Sequence, residues 1–426
     1  MFGYFRQIGS YSREVKLFLL YNLFSNIGIG VFTLIYNLYL VQLGYRADFI
    51  GTFNAVTTIS MAAAALVMGP VILRFGTWRC ITLGTVFYVL TSAALSVFPA
   101  SWAILVFALL SGIGAAFVTV PLMPFIVEWA RPEARGTVAA LTFSLNSLSV
   151  TVGSLIGGWS PAILAALLAV RVTDVPTYRL TLLLGLAVTA ISLGPMWLMR
   201  QARDAVPPDM APMISSVDSL TARRRVRRDV TAFILAGLLL SVGAGVILPF
   251  YNIFLESLGS PPGQIGMVFS LAGIVGAVFG LVAPVMSRRL GPLPAGLITR
   301  LVPIPAFALV AVSPGLGLAI VSYVLRATSG SVAWPIESTF MADVLPPRAR
   351  ANAYSLRSGA WNLGYAFASL LGGLIIVAGG YRPTFVLFTI FATASIAVYA
   401  GYFWWYYRDL SRGARAARAE TVTSAR

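Results

Sequence analysis

Two ionisable residues, Arg326 and Glu337, interrupt an apolar stretch spanning 315–343, well inside its ends. Eleven residues separate them (337 − 326), about three turns at ~3.6 residues per turn, so both lie on one helix face. Along the axis they stand about 16 Å apart at ~1.5 Å per residue, too far to pair directly. An unpaired charge buried away from water costs several kcal/mol, so each needs a partner from elsewhere. Arg357, about two turns into the next apolar stretch, enters at the depth of Glu337 with opposite sign, and the two are expected to meet. Such a pair either only locks two helices together, or opens during a cycle in which Glu337 takes up a proton. Arg326 has no obvious carboxylate at its depth. It either donates to backbone carbonyls or presents a fixed cation to an anionic or strongly hydrogen-bonding ligand. Arg300, in the ninth apolar stretch, is a weaker candidate for the same chemistry, with snorkelling of its charge to the interface as the alternative.

Asn22, Asn26, Gly30, Thr33 and Asn37 fall at i, i+4, i+8, i+11 and i+15. This keeps them on one stripe, a polar face that lipid would not tolerate cheaply. They form a candidate binding wall, joined by the aromatics Tyr323, Trp334, Trp361 and Tyr365. Trp361 and Tyr365 share the face of Arg357 at i+4 and i+8, although aromatic stripes commonly serve packing alone. Arg74, Arg79, Glu128 and Asp343 lie near segment ends, while Asn37 and Asn252 are candidate gate residues.

These residues are positioned by a chain built for a bilayer. Of 426 residues 58% are hydrophobic and 10% charged, with a mean hydropathy of +0.85; a water-soluble domain is about a quarter charged. Crossing ~30 Å of hydrocarbon takes about 20 apolar residues. Twelve stretches qualify, near 15–43, 48–73, 79–98, 101–128, 136–169, 179–199, 230–257, 263–287, 293–312, 315–343, 350–379 and 382–407. The long first span lacks a small-residue cleavage site, so no cleavable signal peptide is expected.

The chain also repeats itself. Tyr36-Asn37-Leu38-Tyr39-Leu40 returns as Tyr251-Asn252-Ile253-Phe254-Leu255, an offset of 215 (251 − 36). The same offset carries Gly51 to Gly266, Arg74 to Arg289, Gly76 to Gly291, Glu128 to Asp343, Arg135 to Arg350, Ser154 to Ser369 and Gly158 to Gly373. Paired homologous halves with a cleft between them suit alternating exposure of a central site. Asn37 and Asn252 belong to both copies and are expected to serve helix ends at an outer gate. Glycines 273, 276 and 280 and the 62–65 alanine run permit close helix contact, whereas Pro121, Pro124 and Pro335 introduce bends.

Several chemistries are excluded. With no histidine and one cysteine, Cys80, there is no credible zinc site, no intrachain disulfide and no His-based hydrolytic triad. The single lysine, Lys16, follows no glycine-rich phosphate loop. No cofactor is expected, and the chain is not expected to be an enzyme. The net charge of +16 follows topology. With the N-terminus inside, the arginines concentrate in cytoplasmic connections. They form no continuous basic face, so no nucleic-acid partner is expected. Residues 200–229 hold Pro207-Pro208 and the run Arg223-Arg224-Arg225-Val226-Arg227-Arg228. They read as a cytoplasmic linker at the anionic inner leaflet, between a bundle at 1–199 and another at 230–410. The basic tail 411–426 is expected to begin as a short interfacial helix.

Six plus six spans, a hydrophilic centre and a duplicated half resemble the major facilitator superfamily over nearly the whole chain. After the second span that family reads G-x-x-x-D-R-x-G-R-[RK]; here Gly69, Arg74 and Gly76 fit and Leu73 occupies the acidic position. The family's acid–arginine latch is therefore expected to be altered or carried by Glu128, and the resemblance implies gating roles for Arg74, Arg79, Glu128 and Asp343. The segment from Glu128 to Gly136 looks like the family's inter-helix charge cluster, with Asp343 to Arg350 as its second copy. Gly153-Ser154-Leu155-Ile156-Gly157-Gly158 has Ser where the antiporters of the family have Pro, and Ala108 stands where drug–proton antiporters carry Arg. The resemblance implies an all-α membrane protein with two pseudo-symmetric six-helix bundles and both termini cytoplasmic. It further implies a cavity walled by helices 1, 4, 7 and 10. The expected function is secondary active export of a small amphipathic or anionic organic solute by a monomer in the inner membrane. A proton is the candidate coupling ion. The alternatives are a proton-coupled multidrug antiporter and a non-transporting sensor.

Overall fold

A computed structural model describes residues 12–131, 134–199 and 220–423. Twelve helical spans are long and apolar enough to cross a membrane, and they fall where hydropathy places them. They are α1 Arg13–Gln42, α2 Ala47–Phe75, α3 Thr77–Val97, α4 Ser101–Trp129, α5 Thr137–Leu168 and α6 Val175–Trp197 in the first half. The second half holds α7 Arg224–Ser257, α8 Pro262–Gly280, α9 Pro292–Val312, α10 Leu316–Val344, α11 Asn352–Gly379 and α12 Arg382–Trp404.

Local chemistry sets the ends and breaks. Ser12 caps α1, its hydroxyl accepting from Val15 N at 3.3 Å. The turns after α1 and α7 need left-handed backbone at Gly44 and Gly259, both at φ 89°. A Cβ is unfavourable there, so glycine stands in both copies. Proline lacks the amide that would continue a helix. Accordingly α4 breaks at Pro121, α7 passes through a 3-10 turn at Leu248–Phe250, and α9 is interrupted before Pro303. Pro335, expected to bend α10, sits inside an unbroken helix.

The repeat extends to packing. α1 lies against α5 and α6 as α7 lies against α11 and α12, and α4 contacts α2 and α3 as α10 contacts α8 and α9. Between the halves, α2 runs along α11 and α5 along α8. One apolar core, from Phe32 through Tyr251 to Phe388, joins both halves at the end distant from the termini and the central connection. At the linker end each half keeps its own core, around Phe18 and Phe125 in the first and around Phe233 and Phe403 in the second.

Two boundaries differ from the expectation. The helix leading into α7 starts at Leu220, so residues 220–229 are helical although hydrophilic, and the rest of the expected 200–229 linker lies outside the described residues. The last helix runs unbroken from Arg382 to Thr423. The tail is thus a continuation of α12, because its alanine-rich sequence has good helix propensity and no proline separates it.

Candidate functional site

The end opposite the linker is closed by a seam that obeys the repeat. Asn37 Nδ2 donates to Pro249 O at 2.6 Å, and Asn252 Nδ2 donates to Leu34 O at 2.8 Å. Shifting each partner of one bond by 215 residues gives the other bond. On the flanks, a Cβ on Gly51 would meet Ser369 O at 2.4 Å, as one on Gly266 would meet Ser154 O at 2.5 Å. Gly158 approaches Pro262 O as Gly373 approaches Ala47 O. Side chains at these four glycines would hold the backbones apart. Ser270 Oγ donates to Thr151 O at 2.9 Å, and Gln42 Nε2 donates to Glu256 Oε1 at 3.0 Å. The hydrogen bonds that join the halves among the described residues all lie at this end.

Beneath the seam lies a cavity of about 580 Å³ walled by both halves. Phe32, Thr33, Tyr36 and Asn37 come from α1, and Phe53, Asn54 and Thr57 from α2. Ser111 and Thr119 of α4, Asn252 of α7, Phe269 of α8, Tyr323 and Arg326 of α10 and Tyr365 of α11 complete the wall. Arg326 is the one charged residue among the described lining residues. Its Nε is buried with no hydrogen-bond partner, and none of the ion pairs among the described residues includes it. Tyr323 is held in place by stacking on Phe269, ring centroids 4.4 Å apart, and by Tyr251 at 4.8 Å.

A second cavity of about 230 Å³ lies between α9, α10 and α11 and shares Arg326 with the first. Here Glu337 and Arg357 meet, Oε2 to Nη2 at 2.8 Å. The same oxygen also takes Arg300 Nη2 at 2.8 Å, while Oε1 has no partner. Arg300, Glu337 and Arg357 are each 5% exposed or less. Arg300 Nη1 donates to Ser395 Oγ at 2.9 Å, and its guanidinium lies 4.5 Å over the Tyr399 ring. Arg357 lies 5.0 Å over the Trp334 ring. The alternative that Arg300 snorkels is therefore corrected. The α9 segment Pro292–Leu301 packs on α10 and α12, which turns Arg300 inward onto Glu337. The surrounding Thr299 and Ser395 were its only sequence signal.

Other residues separate from the site. Asn22 is buried and donates to Thr142 O of α5 at 3.1 Å, and Asn26 Nδ2 donates back to Asn22 O at 2.8 Å. Gly30 abuts Val150 and Gly153. Of the polar stripe, Thr33 and Asn37 line the central cavity, whereas Asn22 and Asn26 do not, because α5 covers the linker-end part of that face. Trp334 and Trp361 line the small cavity rather than the central one. At the linker end Arg74, Arg79 and Asp343 are exposed. Glu128 Oε2 accepts from Thr77 Oγ1 at 2.6 Å, and none of these four joins an ion pair among the described residues. The copied arginines cap the preceding helices instead. Arg135 Nε donates to Ala130 O at 3.4 Å, and Arg350 Nε donates to Leu345 O at 3.0 Å. Sequence reasoning named Arg300 but missed its pairing with Glu337, and it missed Asn54, Thr57 and the Gln42–Glu256 bond. The first-half counterpart of Glu256 is Val41, so the repeat gave no hint of it.

The Major Facilitator Superfamily model matches residues 18–330 and 306–423. A search of the curated proteins returned no match. Among solved structures, the chain is similar to a bacterial homologue of the human lysosomal transporter Spinster in an inward-facing, unoccupied conformation. That match has 15% identity and TM-score 0.74, covering 91% of this chain and 95% of that one. It is also similar to the nucleoside transporter NupG, at 16% identity and TM-score 0.72, covering 92% and 98%. A D-xylose–proton symporter matches at 14% identity and TM-score 0.64, covering 91% and 95%.

Proposed function

The chain belongs to the Major Facilitator Superfamily and is a multi-pass membrane transporter, and we propose that its cargo is a small amphipathic organic anion. The observation that carries this is Arg326, an unpaired guanidinium on the wall of an otherwise uncharged, partly aromatic cavity between the two halves. An apolar body fits the ring-lined part, where burying carbon is favourable at roughly 25 cal/mol per Å². An anionic group on Arg326 offsets the cost of a buried, unpaired cation.

The seam supports alternating access. The halves share a core and hydrogen bonds at one end and have separate cores at the other, so the cavity is reached from the linker end. We place that end in the cytoplasm, since Arg74, Arg79, Arg131, Arg288 and Arg289 lie there. Anions are drawn to a basic mouth. An interior-negative potential then favours their outward movement by about 2.3 kcal/mol per charge per 100 mV, which supports export across the plasma membrane. The Glu337 carboxylate, held by two arginines and with one oxygen free, is the proposed proton carrier, and the protein acts as a monomer.

The test is counterflow of radiolabelled hexyl sulfate in proteoliposomes. Wild-type protein exchanges it, Arg326→Lys retains part of the exchange and Arg326→Ala loses it. Full exchange in both variants, or exchange only of uncharged and cationic solutes, refutes the cargo assignment. Pumping of cationic drugs against a proton gradient would favour the multidrug antiporter.

A further inference from the structure

We propose that the small chamber between α9, α10 and α11 is an anion subsite that takes the cargo's charged head while its apolar body stays in the central cavity. This rests on the amphipathic-anion reading above and adds where the charge sits and what competes for it.

Charge count comes first. Arg300, Arg326 and Arg357 line the chamber with one carboxylate, Glu337, so the four side chains carry two uncompensated positive charges. Both ion pairs use the same oxygen, Oε2. Two guanidinium nitrogens, Arg326 Nε and Arg357 Nε, are buried without a hydrogen-bond partner. Buried donors are normally satisfied, and guanidinium forks match carboxylate, sulfate and phosphate oxygens.

Local packing comes second. A Cβ on Gly330 would stand 3.0 Å from Arg326 Nη1. The guanidinium therefore lies along α10 across a residue with no side chain, one turn closer to Glu337 and into the chamber mouth. Gly237 of α7 faces Arg357, whose Nε would stand at an ordinary contact distance of 3.6 Å from a Cβ there. Trp334 and Trp361 supply the flat walls, and Thr299 and Ser329 supply hydroxyls. The chamber volume of about 230 Å³ suits a head group and a few waters, since one water occupies ≈ 30 Å³ in the liquid. The neighbouring 580 Å³ cavity suits the body. Glu337 is the internal anion already in place; an incoming head group competes with it for Arg357 and adds Arg326, which no ion pair among the described residues engages.

The roles separate by sign. Removing the carboxylate charge raises the chamber from two to three positive charges, so Glu337→Gln should bind anions more tightly although it loses two ion pairs. One unit charge within ~8 Å at an effective dielectric of ~20 corresponds to about tenfold or more in affinity.

Isothermal titration of the purified full-length protein at fixed ionic strength tests this with hexyl sulfate, inorganic sulfate and 1-hexanol. Hexyl sulfate should saturate one site and bind more tightly than either fragment. Glu337→Gln should strengthen it about tenfold, and Arg326→Ala should weaken it by at least that factor. Gly330→Ala keeps every charge and displaces only the Arg326 guanidinium, so it should weaken binding several-fold; it also serves if the Glu337 variant does not fold. Equal affinity for hexanol and hexyl sulfate overturns the subsite, and so does an affinity that neither Glu337→Gln nor Gly330→Ala alters. Those results would leave transport of uncharged solutes intact as a reading. Tight, Glu337-sensitive binding without counterflow would instead keep the subsite and remove the cargo assignment.

Discussion

If the reciprocal bonds Asn37 Nδ2 to Pro249 O and Asn252 Nδ2 to Leu34 O hold the seam shut, removing them should open that end without unfolding either half. Each bond is neutral and partly shielded, worth about 0.5–1.5 kcal/mol net. The acceptor carbonyl of Leu34 lies inside helix α1, where a backbone amide also uses it, so about 1 kcal/mol is the working figure. Asn37→Ala also loses the weak 3.4 Å bond from Asn54 Nδ2 to Asn37 Oδ1. One substitution should thus shift the closed-to-open ratio about fivefold, and both together about 25-fold if the sites act independently. The assay is pulsed electron paramagnetic resonance on spin labels at Arg46→Cys and Ser257→Cys, both exposed near the seam, in a Cys80→Ser background. The double variant should show a second, longer distance population at that end, with each single variant in between. An unchanged distribution in the double variant would mean that the core and the glycine contacts hold the seam alone, which refutes the reasoning.

Three further outcomes are expected. Gly373→Leu forces a side chain against Ala47 O, which a Cβ would already meet at 2.3 Å. At about 1–3 kcal/mol for overpacking, it should open the seam and raise labelling of a Thr33→Cys site on the cavity wall behind it by an impermeant maleimide in cells. Arg300→Ala removes one of two cations from buried Glu337; a cost of about 3 kcal/mol should lower the thermal midpoint by several degrees while Arg300→Lys recovers part of it. Glu337→Gln should abolish accumulation driven by a pH gradient yet keep counterflow, and an unaltered gradient response would remove its proton-carrying role.

The spans were legible because the bilayer leaves a hydrocarbon-length signature in composition, and the seam was legible because both copies of it survive in sequence. Gly51 with Gly266, Ser154 with Ser369 and Asn37 with Asn252 are the same contacts seen from the two halves. The meeting of Glu337 and Arg357 could be inferred because opposite charges at equal depth must find each other when water is absent. Arg300 could not, since depth and sign alone do not say which way a helix is rotated, and α9 is broken before Pro303. The asparagine stripe failed for a related reason. Periodicity shows that Asn22 and Thr33 share a face, but not that α5 covers the lower part of it and leaves the upper part open. Glu256 was hidden because it belongs to one copy alone.

The central claim is that two homologous halves rock about a cavity whose anionic cargo rests on Arg326. Its most direct test places one label pair at Phe75→Cys and Leu290→Cys, exposed repeat mates at the linker end, and another at Arg46→Cys and Ser257→Cys. Distances are then measured with and without hexyl sulfate. Alternation predicts that transport-competent protein populates two states in which the linker-end distance shortens as the seam distance lengthens, with ligand changing their ratio in wild type and not in Arg326→Ala. Distances that move in the same sense, or stay fixed while hexyl sulfate crosses the membrane, would contradict it.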